Sequence, residues 1–398
     1  MILGIDAFNL RSGGGLTHLV EILKAARLPM HGFERVIVWG GADTLAKISH
    51  QDWLTKVHEN LLDRGLFSRV YWHRFKLRNL AIRSQCDVLF VPGGSDATGF
   101  HPIVTMSRNI LPFDFYEIKR YGFSVSALKF ILLRIAQSRS FLRADGVIFL
   151  NNYARQKVLR VTGKLSGEVA IVPHGVSKRF MLGLTKVHRI SSDFNKIAPC
   201  KILYVSSIEA YKHQWIVAEA VSQLRLEGYP IVLDMAGPAG GGMSKLIHSL
   251  KRLDPKGEFL RYLGPVSYDR LSDIYQEADI GIFASTCENM PNTLLEYMAA
   301  GVPVACSNRG PMPEILGDAG KYFDPEDVDS IKFILIDLMN SLDLRIALSA
   351  AAFESVQRYS WEKCADETFK FLEYIATLCR TKKKVPTNFF NCCINFKI

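Results

Sequence analysis

Two doubly wound α/β domains in tandem are what this sequence predicts, on three observations. At 398 residues the chain exceeds what one hydrophobic core usually holds. Its apolar runs are short, unalternating and separated by helix-like stretches, the pattern of strands buried on both faces of a parallel sheet. This rhythm occurs twice, interrupted at about residues 181–199 by a stretch of weak periodicity with scattered Ser, Asn and Lys.

The first series (1–180) starts with a strand at Ile2 to Asp6, a glycine turn Ser12-Gly-Gly-Gly15, a helix through Ala26 and a strand at Arg35 to Trp39. Strands follow at Asp87 to Val91, Ile103 to Met106, Gly146 to Leu150 and Val169 to Val172. Glycine in that first turn lets backbone approach an anion drawn to a helix N-terminus, although a tight turn without ligand reads the same way. After the 181–199 linker the second series (200–358) begins at Lys201-Ile-Leu-Tyr-Val, with strands at Ile231 to Ala236, Phe259 to Leu263, Asp279 to Phe283 and Val302 to Cys306. Residues 381–398 fit neither domain and read as a flexible or membrane-touching tail.

No apolar run approaches the length of a membrane span, and the opening Met1-Ile-Leu-Gly-Ile-Asp6 does not read as a signal peptide, so a cytoplasmic protein is expected. The 8 cysteines contain no Cys-x-x-Cys pair and no zinc-like His spacing, which points to reduced thiols. Cys287 is a candidate nucleophile, but Glu288 beside it disfavours a thiolate. The net charge of +10 is lopsided: 25 Lys and Arg against 13 Asp and Glu up to residue 180, then a slight acidic excess. Arg64, Arg69, Arg74, Lys76, Arg78 and Arg83 form one basic cluster, and Lys119, Arg120, Lys129, Arg134, Arg139 and Arg143 another. Interleaved with Tyr71, Trp72, Phe75, Tyr121, Phe123 and Phe130, they suit the headgroups of an anionic membrane surface; a solvated basic face is the plain alternative. No nucleic-acid-binding motif accompanies the charge, so nucleic acid is not expected as a partner.

The most informative stretch is Glu288-Asn-Met-Pro-Asn-Thr-Leu-Leu-Glu296, between a predicted strand and a predicted helix. In an open parallel sheet that junction borders the ligand crevice, walled by a helix N-terminus that favours phosphate. Pro291 suits the first helical position, leaving the amides of Asn292, Thr293 and Leu294 free for a diphosphate. Glu296, a turn further on, is spaced to accept two hydrogen bonds from a sugar diol. The bland reading makes Glu288 a cap and Glu296 a solvated helix residue.

With the following Tyr297-Met-Ala-Ala-Gly-Val-Pro-Val, these residues resemble the signature of the retaining GT-B glycosyltransferases called family 4, or group 1. The resemblance implies a GT-B fold of two Rossmann-like domains facing a cleft, and a nucleotide-sugar donor. It implies that Glu296 binds the ribose and Glu288 sits by the transferred hexose, and that the loop with Gly14 and Gly15 faces the donor. A closing helix at about 360–380, after Tyr359-Ser-Trp361, would cross back to the first domain. Lys212 matches the family lysine that grips the diphosphate, but Ser207 replaces the accompanying arginine, which forfeits bidentate recognition. Gly264, in Leu263-Gly-Pro-Val266, matches the loop framing the nucleobase. Where many relatives have His-Asp near the sugar, this chain has Met106-Ser-Arg-Asn109-Ile-Leu-Pro-Phe113, and Asn109 becomes the candidate; His101 and His174 are the nearest alternatives.

The sole Asp-x-Asp, Asp327-Val-Asp329, starts a predicted helix and is better explained by capping, so no metal or other cofactor is expected. The implied activity is transfer of a sugar, with retention, to a lipid-linked or other glycan acceptor at the inner membrane face, in cell-surface polysaccharide synthesis. A sugar-nucleotide 2-epimerase and a catalytically silent nucleotide- or glycan-binding subunit are the rivals.

Overall fold

The computed structural model describes residues 1–11, 13–181, 188–267 and 269–384; Ser12, most of the first half of the expected linker and 385–398 of the expected tail lie outside them. The first domain holds seven strands: β1 Ile2–Asp6, β2 Arg35–Gly40, β3 Leu54–His58, β4 Val88–Val91, β5 Ile103–Ser107, β6 Gly146–Phe149 and β7 Glu168–Ile171. They form one parallel sheet in the order β3-β2-β1-β4-β5-β6-β7. The second domain adds β8 Cys200–Val205, β9 Ile231–Ala236, β10 Leu260–Gly264, β11 Ile280–Phe283, β12 Val304–Ser307 and β13 Lys321–Phe323, ordered β10-β9-β8-β11-β12-β13. In each sheet the order reverses beside the first strand, between β1 and β4 and between β8 and β11. Such switch points open a crevice at the carboxyl ends of the strands.

Central strands are buried throughout, as the unalternating runs require: every residue of β4, β5, β6, β11 and β12 is buried. Two strands escape the sequence pattern, β3 and β13. Both are edge strands: β3 turns most of its residues to solvent, and β13 has only three residues, too few to show a period.

The segment Pro173 to Val176 leads out of the first domain, and Val176 pairs as an isolated parallel bridge with Ser360. The helix Trp361–Lys384 then packs against the helix Gly13–Ala25, β4 and β6. It runs past the expected end, absorbing Thr381–Lys384. Gly146 opens β6 because a Cβ there would stand 2.9 Å from Phe371 and 3.0 Å from Ile375 of that helix. Residues 188–199 are tied to the second domain: Arg189 donates to Asp279 at 3.0 Å and to the carbonyls of Ala198 and Pro199.

The basic clusters separate on folding. Trp72 is completely buried, and Tyr121 and Phe130 pack edge to face, half-buried, 5.1 Å apart, so these three leave the surface set. Arg120 is held by Glu117 and Glu326, and Arg69 by Asn9. Tyr71, Phe75 and Phe123 remain exposed. The helix Val125–Arg143, capped by Ser124, shows solvent Val125, Leu128, Lys129, Leu132, Ile135, Arg139, Leu142 and Arg143 at helical spacing, with no acidic residue along its length. Among the described residues no helix is long and apolar enough to cross a membrane.

Gly175 is the tightest point of the return crossing, since a Cβ there would fall on the backbone of Ser360 and Trp361. Gly175→Ala should cost about 1–3 kcal/mol and lower the thermal midpoint by several degrees. Gly65→Ala, where nothing lies within 4 Å, should move it by about a degree or less. Equal midpoints for the two variants would show that the crossing is looser than the backbone contact requires.

Candidate functional site

The carboxyl ends of the two sheets face one another across a cleft of about 650 Å³. The turns after β1, β4 and β5 form one wall, and those after β8, β9, β10 and β11 the other. Of the residues singled out in the sequence, Gly14, Gly15, Ser207, Lys212, Glu288, Asn292, Thr293 and Glu296 all line it.

Two do not. Asn109 is exposed and caps its own turn, its Oδ1 accepting from the Leu111 amide at 3.1 Å; the side chain that reaches the cleft from this segment is its neighbour Arg108. Gly264 turns the chain at φ +71° and its carbonyl accepts from the Gly237 amide, so that Pro265 and Val266 face the cleft instead. His101 pairs with Asp145 just ahead of β5 and β6, at the opposite edge of the sheet. His174 does line the cleft, and its Nδ1 is sealed from solvent without a hydrogen-bond partner among the described residues. Cys287 is buried, and burial pushes its thiol well above the usual range, with Asp114, Glu117 and Glu288 adding to the effect, so it is inert as a nucleophile.

Pro291 is the N-cap of the helix Asn292–Ala299 rather than its first residue, with an extended ψ of 112°. The Leu294 amide, expected to be free, already donates to the Pro291 carbonyl at 3.1 Å. The amides of Asn292 and Thr293 precede the first turn's hydrogen bonds and remain at the cleft. Asn292 also holds a buried Oδ1 without a hydrogen-bond partner among the described residues. Glu296 is no solvated helix residue: it is buried, with Oε2 accepting from the Tyr275 hydroxyl at 2.7 Å. Burial pushes its pKa to about 7, against the pull of that hydrogen bond.

Lys212 and Glu288, assigned above to diphosphate and hexose, are ion-paired to each other. Lys212 is buried by Tyr211 and Phe283, whose ring centroids lie 5.3 and 5.0 Å from its Nζ. Ser207 offers its carbonyl to Gln214 Nε2 at 3.0 Å, and Ser206 Oγ donates to the same carbonyl. Asp327 caps the helix Val328–Asn340 by accepting from Asp329, and among the described residues no group of three or more His, Cys, Asp or Glu is placed to hold a metal ion. Sequence reasoning missed Arg108 and Tyr275. The first sat beside the favoured Asn109 and was visible as a charged residue directly after a buried strand.

Two Rossmann-like sheets opposed across a cleft, with a returning C-terminal helix, define the GT-B architecture. Residues 192–355, most of the second domain, match the family model of glycosyl transferases group 1. Over 169 residues the chain is 32% identical to the O-antigen chain mannosyltransferase B of Escherichia coli, covering 42% of this chain and 44% of that protein. The chain thus spans less than half the length of that relative. The whole fold is similar to Anabaena HepE solved with UDP and glucose (TM-score 0.64, 16% identity, 97% and 100% of the two chains). It is also similar to WaaG, a glycosyltransferase involved in lipopolysaccharide biosynthesis (TM-score 0.67, 13% identity, 94% and 99%).

Breaking the Lys212–Glu288 pair from either side leaves a charge without its partner next to apolar surface. In the ligand-free protein Lys212→Met and Glu288→Gln should each cost about 3 kcal/mol, and the double variant clearly less than the sum. Denaturant titration measures this, and strictly additive losses would mean that the pair contributes nothing as a pair.

Proposed function

We propose that this chain is a retaining glycosyltransferase that moves a sugar from a nucleoside-diphosphate donor to a lipid-linked glycan, in cell-surface polysaccharide synthesis. The observation that carries the reading is Glu296, a buried carboxylate with one oxygen held by Tyr275, on the cleft wall one turn beyond two open helix amides. A vicinal diol donates two hydrogen bonds and matches such a carboxylate, while a diphosphate matches the amides of Asn292 and Thr293. The E. coli mannosyltransferase similarity and the UDP-bound HepE fold support a nucleotide-sugar donor.

In this reading the nucleotide is held by the second domain and the acceptor approaches from the first. Helix amides and cations stabilise charge on the departing diphosphate, Glu288 supports positive charge on the sugar, and no metal takes part. Anomeric configuration of the product, read by NMR, tests retention. Incubation without acceptor separates the alternatives: an epimerised donor would favour an epimerase, and an untouched donor that also survives every acceptor a silent binding subunit.

The work site in this proposal is the cytoplasmic face of an anionic membrane. The solvent face of Val125–Arg143 alternates aliphatic and basic residues, and exposed Phe115, Tyr116 and Phe123 adjoin it. Such a face gains from apolar burial at the headgroup boundary and from anionic lipid together.

Two outcomes are expected. Donor-nucleotide affinity should fall as pH drops through about 7, because protonation of Glu296 removes the acceptor that the diol needs. Calorimetry of Glu296→Gln should give a weaker affinity, by roughly 10-fold or more, with that pH step gone; an unchanged pH profile would remove Glu296 from the ribose. In sedimentation the protein should pellet with anionic vesicles, stay in solution with neutral ones, and be released by about half-molar salt as the Debye length shrinks. Lys129→Glu, Arg139→Glu and Arg143→Glu together should abolish pelleting while leaving nucleotide binding intact, and indifference to lipid charge would end the membrane assignment.

A further inference from the structure

Ser207 stands where the family resemblance calls for an arginine, and Lys212, the cation on the same wall of the cleft, is already paired with Glu288. Among the described residues lining that wall, no other lysine or arginine is available to a bound diphosphate. The opposite wall holds a cation in a different condition. Arg108 follows β5 and lines the cleft; its Nη1 donates to the Gly15 carbonyl at 2.8 Å, and its Nε is sealed from solvent without a hydrogen-bond partner among the described residues. Among the described residues no carboxylate acts on its charge.

Its placement is specific. A Cβ built on Gly14 would lie 3.8 Å from Arg108 Nη2 and 3.8 Å from Asn292 Nδ2, so the guanidinium sits over the glycine turn, facing the first residue of the helix Asn292–Ala299 across the cleft. Beside it are two imidazoles, His18 and His174, 4.8 Å apart between centroids and backed by Trp361. Burial, and then the field of Arg108, keeps His174 neutral; for His18 the proximity of His174 adds to the same effect. A guanidinium partly buried without a carboxylate costs stability, as its lowered pKa of about 10 reflects. An anion delivered into the cleft removes that cost.

We infer that Arg108 supplies, from the first domain, the guanidinium that grips the donor diphosphate in place of the arginine missing at Ser207. The inference rests on the glycosyltransferase reading above. As the bond from the anomeric carbon to the diphosphate oxygen breaks, its electron pair goes to that oxygen. The acceptor hydroxyl oxygen bonds to the anomeric carbon and its proton passes to the departing phosphate, while Arg108 stays protonated and compensates the developing charge.

The experiment compares wild type, Arg108→Met, Arg108→Lys and Arg108→Met/Ser207→Arg by calorimetry with UDP, GDP and ADP and with the matching nucleosides. For the diphosphate that wild type accepts, R108M should bind about 10- to 150-fold more weakly, while the nucleoside changes by about twofold or less. R108K should fall between, having charge without the planar fork, and the double variant should recover most of the loss. R108M should melt no lower than wild type, since it removes an uncompensated charge. Equal losses for nucleoside and diphosphate, no loss, or a lower melting point without selective phosphate loss would overturn the inference, and R108K decides the matter should R108M fail to fold. If wild type bound none of the three diphosphates, the donor reading itself would fall; if it bound one and the Arg108 variants bound it equally well, only the role of Arg108 would.

Discussion

Asn289 donates from its side-chain amide to the carbonyl of Ser107 at 2.9 Å, and its own carbonyl accepts from Asn151, both in the other domain. The next residue, Met290, takes the His174 amide on its sulfur at 3.1 Å. The loop between Glu288 and Pro291 is therefore fastened to the first domain by groups that are buried and have no water to replace them, so releasing it leaves several polar atoms unsatisfied. On either side of this fastening stand the two carboxylates of the cleft and the first open amides of the helix Asn292–Ala299. Glu314 adds a second clasp, accepting from the amides of Asn152 and Tyr153, and Arg120 a third through Glu326.

This closure explains how the charges in the cleft are arranged. Lys212 and Glu288 satisfy each other, Glu296 is partly neutralised by burial and held by Tyr275, and the two neighbouring imidazoles stay uncharged. Arg108 is what remains, a cation with one carbonyl partner and an orphaned Nε. Interiors tolerate such a group where its compensation arrives with a ligand, and strained or under-satisfied groups concentrate at sites for that reason.

The outer surface of the first domain follows a separate logic. The inner side of Val125–Arg143, through Ala127, Gln137, Ser140 and Phe141, packs onto the domain, which leaves its aliphatic and basic residues outward together. Nothing in the core demands that arrangement. An ordinary solvated helix would carry acidic residues among the basic ones, and this one carries none.

Much of the fold was legible in the sequence because parallel strands buried on both faces leave apolar runs that no other element produces in that rhythm, and because the Glu288 to Glu296 motif lies at a strand-to-helix junction. Edge strands such as β3 and β13 were not legible, since exposure or brevity erases the period. By itself the sequence determined two α/β sheets, the strand ends at which Gly14, Lys212, Glu288 and Glu296 stand, and the excess of cations in the first domain. Only the tertiary structure decided that Lys212 and Glu288 neutralise one another, that Trp72, Tyr121 and Phe130 turn inward, that Asn109 spends its side chain on its own turn, and that Arg108 crosses to face the helix of the other domain. Most of those outcomes depend on which groups the fold brings together, as with Arg108 and Asn292 across the cleft, and on which charges burial leaves without a partner; residue type and spacing along a chain encode neither.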